Sequence, residues 1–265
     1  MDNISLNKPI ARGRTADIYD WDDGHVLKLF HNWFELDNIE YELKIARAVH
    51  ASGVEAPAVG ELIQLEGRNG LVYERVAGES MLVMFQRKPW MVFAYSRLLA
   101  KLHAQMHDKF IENEVPDQHR NLQYKISKED VLPTSLKTAL LETLDSMPKG
   151  DRVCHGDFHP ANVVLSEKGA SVIDWIDASR GNPLADVART TIIFIGSVET
   201  NQTRNLFLKI FIKTAHAEYL REYFRLHPDG MDEYRRWLPI VAAARLNEGM
   251  PELEQWLIRQ AQKVK

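Results

Sequence analysis

Apolar and polar positions divide the chain into a strand-rich opening, residues 1–76, and a helical remainder. Ile10 to Tyr19 and the run His25-Val26-Leu27-Lys28-Leu29-Phe30 flank Asp22-Asp23-Gly24, and Asp-Gly between two apolar runs predicts a β-hairpin. Ile39, Leu43, Ala46 and Val49 recur at helical spacing within 37–51, with Gly53 to end the helix and Pro57 beyond it. A second strand–turn–strand pattern covers Val59 to Leu65 and Gly70 to Val76 around Glu66-Gly67-Arg68-Asn69. From Phe93 the period becomes helical, with Tyr95, Leu98, Leu99, Leu102 and Met106 forming one apolar stripe. Residues 109–132 are polar and poorly periodic, which predicts a surface connection with a short helix near 127–130. A helix over 134–147 follows. Further helices are expected over 186–197, 201–226, 231–247 and 251–263, broken at Pro228-Asp229-Gly230 and Gly249-Met250-Pro251.

One interruption in the helical part stands apart. Val163-Val164-Leu165 and the apolar run 171–173 flank Ser166-Glu167-Lys168-Gly169, a tight β-hairpin pattern. Asp157 and Asn162 precede its first strand, and Asp174 ends its second. A hairpin brings its open ends together, so these three side chains are expected to converge. Oxygen ligands with a spare carboxylate beside them suit a magnesium-held phosphate next to a hydroxyl. Taken singly, each is an ordinary turn residue; the constellation is what points to chemistry.

Composition narrows the class. At 265 residues the chain can form one large domain or two lobes around a cleft. Its net charge of −4, with no long run of either sign, argues against an electrostatic nucleic-acid partner. Cys154 is the only cysteine, so no internal disulfide is possible; within Arg152-Val153-Cys154 it reads as a buried structural thiol. Met1-Asp2-Asn3-Ile4-Ser5 lacks the basic start and apolar core of a signal peptide, and no run approaches the roughly 20 apolar residues of a membrane span. A cytoplasmic protein without a membrane partner is expected. His103 and His107, four apart, lack the Glu of an H-E-x-x-H zinc motif and read as half-exposed helix histidines.

The segment His155-Gly156-Asp157-Phe158-His159-Pro160-Ala161-Asn162 followed by Ile173-Asp174-Trp175 resembles the catalytic loop and metal aspartate of kinase-like phosphotransferases. In the form H-G-D-x-x-x-x-N it is similar to the aminoglycoside phosphotransferase and choline kinase group, and the likeness runs along essentially the whole chain. The resemblance implies an α+β, two-lobed protein-kinase-like fold. Residues 1–76 would be a nucleotide-binding lobe with a small antiparallel sheet and one helix, and 77–265 a mostly helical catalytic and acceptor-binding lobe. It implies transfer of a γ-phosphate from ATP or GTP, with Mg²⁺, to the hydroxyl of a small molecule.

By the same resemblance, Asp157 is the catalytic base, and Asn162 and Asp174 hold the metal. Lys28 binds the α/β-phosphates and is held by a helix glutamate. The family pattern selects Glu42, although spacing leaves Glu40 open. Gly13 lies in the phosphate-covering hairpin, and the main chain near Glu74 and Val76 binds the purine edge, with Gly78 giving flexibility where the chain leaves the sheet. Asp186 is structural, anchoring the catalytic loop. His155 fixes the loop, and His159 is assigned nothing beyond turn packing. The chain departs from protein kinases in holding one glycine, Gly13, where they have three. Residues 175–185 are also too few for an activation segment, which disfavours a peptide substrate. A catalytically silent nucleotide-binding regulator and a protein kinase are the alternatives. From Met231 onward five acids (Asp232, Glu233, Glu248, Glu252, Glu254) face six bases (Arg235, Arg236, Arg245, Arg259, Lys263, Lys265), which gives no support to a dedicated polycation pocket. The acceptor, antibiotic or metabolite, and the oligomeric state stay open at this level.

Overall fold

The computed structural model describes residues 8–112, 114–167, 169–199 and 205–264. Strands β1 (Ala11–Arg12), β2 (Ala16–Asp22) and β3 (His25–Phe30) lead into helix α1 (Leu36–Ala51), then β4 (Val59–Leu65) and β5 (Arg68–Glu74). The strands form one antiparallel sheet in the order β1-β2-β3-β5-β4. The β4–β5 turn is two residues, Glu66 and Gly67, both at positive φ (51° and 74°), tighter than the four-residue turn expected, because both conformations match the twist of a hairpin. Alternation along β3 sets the two faces. Leu27 and Leu29 pack with Tyr19, Trp21 and Val72 on one side, while Phe30 packs with Ile39 of α1 on the other. Lys28 therefore points toward α1.

Past β5 the chain runs through 75–78 to β6 (Glu79–Ser80), which pairs with β8 (Val163–Ser166); β8 pairs in turn with β9 (Gly169–Val172). Gly78 passes so close to this hairpin that a Cβ would stand 2.1 Å from Leu165 O. Close packing at ordinary φ, not flexibility, is what requires glycine there. Val172 N donates to Glu55 O (2.8 Å), a second tie between the hairpin and the sheet-bearing lobe.

Helix α2 (Met81–Arg87) starts at Ser80, whose hydroxyl accepts the Val83 N–H (3.4 Å), an N-cap in front of an apolar run too short to show a period. Next come α3 (Val92–His107), α4 (Gln118–Lys128), α5 (Thr134–Ser146), β7 (Arg152–Cys154) and β10 (Ser179–Gly181), which pairs with β7, then α6 (Pro183–Glu199), α7 (Leu206–Leu226), α8 (Met231–Leu246) and α9 (Pro251–Ala261). Part of the expected 201–226 helix, residues 201–204, lies outside the described residues. Helix α4 replaces the surface connection expected at 109–132, and 127–130 is only its end. Asp117 caps it by accepting the Arg120 N–H (2.9 Å). Its apolar stripe is just Leu122 and Ile126, too thin to show as a period. The large core packs Leu99 and Phe158 with Tyr219, Tyr223 and Trp237, all fully buried. The architecture is the expected α+β, two-lobed one. Among the described residues no helix is long and apolar enough to cross a membrane.

Candidate active site

The loop after β7 turns at Gly156, whose φ is +78° and where a Cβ would stand 2.4 Å from Asp177 O, so only glycine fits. Fully buried His155 joins the two halves of the site. Its Nδ1 accepts the Asp157 N–H (3.2 Å), which leaves the proton on Nε2 to donate to Ile173 O (3.1 Å). Ile173 N donates in turn to Asn162 O (2.9 Å), and Asp174 follows at φ +65°, a left-handed conformation that aspartate tolerates better than most. Asn162 Nδ2 donates to Asp157 O (2.9 Å) and faces Asp157 Oδ2 at 3.4 Å. The hairpin thus gathers the Asp157–Asn162 pair and the segment carrying Asp174 at its open end.

His159 does more than pack the turn. Its Nδ1 accepts the Ala161 N–H (3.2 Å), so Nε2 carries the proton and lies 3.3 Å from Asp157 Oδ2. Partial burial pushes the Asp157 carboxyl up, but the His159 hydrogen bond, followed by the Arg189 guanidinium, outweighs it and holds Asp157 at about 2. Asp157 is a carboxylate at any pH near neutrality.

Across from the hairpin, Lys28 Nζ donates to Glu42 Oε1 at 2.6 Å, and Tyr73 OH donates to the same oxygen at 2.9 Å. Glu42 is buried in the inward face of α1, whereas Glu40 is exposed, so the helix period selects Glu42 as the partner of Lys28. Tyr73 was missed by sequence reasoning because a strand tyrosine is ordinarily packing. Gly13 lies in the β1–β2 turn, its N–H donating to Ala16 O (2.9 Å). Glu74 ends β5 and its carboxylate accepts the Ala58 N–H (3.2 Å), while Val76 sits in the 75–78 link. Among the described residues these three make no hydrogen bond or ion pair with Asp157, Asn162 or Asp174.

Beneath the loop lies a buried polar brace. Asp186, 1% exposed, accepts the N–H of His155 on Oδ2 (2.7 Å) and that of Gly156 on Oδ1 (2.9 Å). Nε2 of His103 (3.0 Å) and of His107 (3.3 Å) also reach Oδ2. A carboxylate only accepts, so both rings carry their proton on Nε2, and each Nδ1 accepts from a tyrosine, Tyr219 OH or Tyr223 OH, at 2.7 Å. The half-exposed histidines expected from the sequence are therefore buried, because α7, 116 residues away in the chain, brings each of them a hydroxyl. His103, His107 and Asp186 are close enough together to suggest a cation site. With every ring nitrogen committed, the trio is a hydrogen-bonded brace. Burial pushes Asp186 up, but the histidine hydrogen bonds prevail and hold it well below the usual carboxylate range. Burial pushes His103 down to about 3, helped by His107, and also lowers His107 and His155. Neutral imidazoles in the fold bind fewer protons than the unfolded chain does below pH about 6.5. Their stabilisation is complete above that pH and is lost as pH falls toward 3. Thermal melting should show the midpoint dropping steadily below pH about 6.5, with a net uptake of protons on unfolding in that range.

Beside the loop is a cavity of about 520 Å³. It is bounded by Gly156 and Asp177, by Asn121 and Lys125 of α4, by Arg189 of α6 and by Arg245 of α8, and roofed by Tyr41 of α1. Arg189 links it to Asp157: Nη2 is 4.0 Å from Asp157 Oδ1, Nε donates to Gly156 O (2.9 Å), and Nη1 pairs with Glu248 at 2.6 Å. Apart from Gly156 of the loop motif, these cavity residues did not stand out in the sequence, since each alone looks like a solvated polar residue. Cys154 is fully buried, and burial raises its thiol well above the ordinary range, as suits a structural thiol.

Comparison with known proteins accords with this geometry. Aminoglycoside-3'-phosphotransferase of type VIII superposes with a TM-score of 0.56 at 20% identity, over 92% of this chain and 92% of that one. The amicoumacin kinase hAmiN in complex with AMP-PNP, Ca²⁺ and Ami gives 0.57 at 14% identity over 97% and 87%. The streptomycin–ATP–APH(2")-IIa ternary complex gives 0.54 at 15% over 98% and 92%. At such identities the likeness establishes the fold. No curated protein matches the sequence significantly. The family model described as the phosphotransferase enzyme family matches residues 7–237. A match over that much of the sequence, on this fold, means that the chain belongs to the phosphotransferase enzyme family.

Proposed function

We propose that this protein transfers the γ-phosphate of ATP or GTP, with Mg²⁺, to a hydroxyl of a small molecule. The observation that carries the reading is the Asp157–Asn162 pair hydrogen-bonded beside the Asp174 segment. The complexes of structurally similar enzymes with AMP-PNP and with ATP support it. Residues 1–76, with Gly13, Lys28 and Glu42, form the nucleotide-binding lobe. Glu74 and Val76 offer main-chain groups to the base, and 77–265 carry catalysis and the acceptor.

The donor set fits a hard cation. Asn162 turns its Nδ2 toward Asp157, which leaves Oδ1 free of any donor among the described residues, and the Asp174 carboxylate has no hydrogen-bond or ion-pair partner among them. Asn162 and Asp174 would hold Mg²⁺, which when bound neutralises phosphate charge. Lys28, held by Glu42, grips the α/β-phosphates. Asp157 accepts the hydrogen bond of the acceptor hydroxyl and orients its oxygen in line with the γ-phosphate, the alignment that phosphoryl transfer mainly requires.

The test is magnesium-dependent consumption of ATP and of GTP, alone and with aminoglycosides, choline, homoserine and sugars. Stimulation by one alcohol is the expected result. Tight nucleotide binding without turnover on any acceptor would instead mark a silent regulator. In the same assay Asp174→Ala should weaken Mg-nucleotide binding by at least about ten-fold, read by titration calorimetry.

A further inference from the structure

The cavity beside the catalytic loop contains a guanidinium whose buried donors find no hydrogen-bond acceptor in the protein. The Arg245 side chain is only 11% exposed. Its Nε and Nη1 are buried and make no hydrogen bond, and Nη2 has only the Met250 sulfur at 3.8 Å. The nearest carboxylate oxygen, Glu248 Oε2, is 3.9 Å from Nε, beyond hydrogen-bond reach, and the other Glu248 oxygen is taken by Arg189. A buried guanidinium without acceptors is costly to keep. The cost is understandable where a ligand supplies the acceptors, because a guanidinium offers a fork of donors matched to a carboxylate or phosphate.

The place of Arg245 fits an acceptor site. It lines the same cavity as Gly156, the neighbour of Asp157, and as Arg189, which reaches Asp157 itself. Lys125 of α4 lines it as well. Asp177 and Glu248 also line the cavity, but Glu248 is already paired with Arg189, so Arg245 is the cation with hydrogen-bond donors to spare for an anion.

We propose that the acceptor carries an anionic group, a carboxylate or a phosphate, which Arg245 binds while the acceptor's hydroxyl is presented to Asp157. The proposal rests on the phosphotransferase reading and deepens it by naming the substrate class. In the transfer the hydroxyl oxygen bonds to the γ-phosphorus and the bond from that phosphorus to the bridging β–γ oxygen breaks. That oxygen leaves with the electron pair as part of the nucleoside diphosphate, and the hydroxyl proton passes to Asp157 and on to solvent. Arg245 is a specificity residue that touches the acceptor away from the reacting atoms.

The test uses matched acceptors with Mg-ATP: glycerate against glycerol, gluconate against sorbitol, glycerol 3-phosphate as the phosphate probe and kanamycin as the polycation. At least one acid should be phosphorylated by the wild type with kcat/KM about ten-fold or more above its neutral match. Arg245→Met should raise the KM for that acid by about ten- to a hundred-fold, the usual worth of charge-assisted hydrogen bonds, with kcat little changed and Arg245→Lys in between. Because the substitution removes a buried charge whose donors make no hydrogen bond, its melting temperature should not fall below that of the wild type, which keeps the variant interpretable.

Preference for a neutral polyol or for kanamycin, no response to any acid, or a rise confined to the KM for ATP would each overturn the proposal. Slow nucleotide hydrolysis to water, measured without acceptor and compared in Asp157→Asn, reports the underlying reading separately. Asp157-dependent hydrolysis with no acid accepted sinks the anionic acceptor alone. No hydrolysis and no turnover of any probe sinks both.

Discussion

Asp157→Asn is expected to lower turnover by about 10²–10⁴-fold, the usual worth of a positioned base, while nucleotide affinity stays within about two-fold. The substitution keeps the shape of the side chain and removes its charge. In the wild type, Oδ2 faces the Nε2–H of His159 at 3.3 Å and the Nδ2 of Asn162 at 3.4 Å, while Oδ1 lies 4.0 Å from Arg189 Nη2. All three neighbours are donors, so an amide placed there must turn one NH₂ toward a donor and can no longer accept on both sides. The acceptor hydroxyl then loses both its orientation and the destination of its proton. Lys28 and Glu42, proposed for the nucleotide, make their contact on the other lobe and are untouched. Because the Asp157 carboxyl is held at about 2, it stays ionised across the working range. The wild-type rate should therefore show no acidic limb from this residue above pH about 4. Single-turnover kinetics with calorimetric nucleotide binding separate the two effects. Unchanged turnover, or turnover and nucleotide affinity falling together, would reject the role proposed for Asp157.

How much of this was legible in the sequence follows from how local each signal is. The catalytic hairpin, α1 and the late helices announce themselves through short-range periods and turn residues, and their ends fall close to where the pattern places them. Lys28 and Glu42 were paired through the family resemblance while spacing left Glu40 open, and it is the burial of Glu42 on the inward face of α1, with Glu40 exposed, that decides between them. Helix α2 is too short to show a period, and α4 has only Leu122 and Ile126 to bury, because its polar side lines the cavity. The histidine brace was misread for a different reason. Without the Glu of a zinc motif the two histidines read as half-exposed, and nothing near them in sequence signals Tyr219, Tyr223 or Asp186, the groups that bury them. His159 was assigned no role because its contact with Asp157 depends on the 3₁₀ turn at Pro160–Asn162, whose N-terminus fixes the ring. Arg245 was visible only as one of six bases in the C-terminal region. That it is an arginine without an acceptor emerges only when α6 and α8 are packed together.

Asp186→Ala should destabilise the fold by about 3–5 kcal/mol, the range for removing one partner of a buried charged cluster. Four donors converge on this carboxylate: the main-chain N–H groups of His155 and Gly156 and the Nε2–H groups of His103 and His107. His103, His107 and His155 are buried away from water, so truncation leaves groups that neither solvent nor neighbouring side chains can satisfy. For a chain of this size the loss corresponds to a fall in melting temperature of roughly 6–15 °C. Asp186→Asn keeps one acceptor oxygen and should cost less, which gives a folded variant if the alanine form does not accumulate. The alanine variant removes the anchor at the first two residues of the catalytic loop and the asparagine variant removes half of it, so turnover should fall more than nucleotide affinity does. A chelator distinguishes this brace from a metal centre made of the same three side chains. With each imidazole proton on Nε2 and each Nδ1 lone pair facing a tyrosine hydroxyl, there is no free ligand atom on either ring, and EDTA should leave the wild-type melting temperature unchanged. A chelator-induced drop, or an Asp186→Ala loss below about 1 kcal/mol, would mean that the loop is held by something other than this carboxylate.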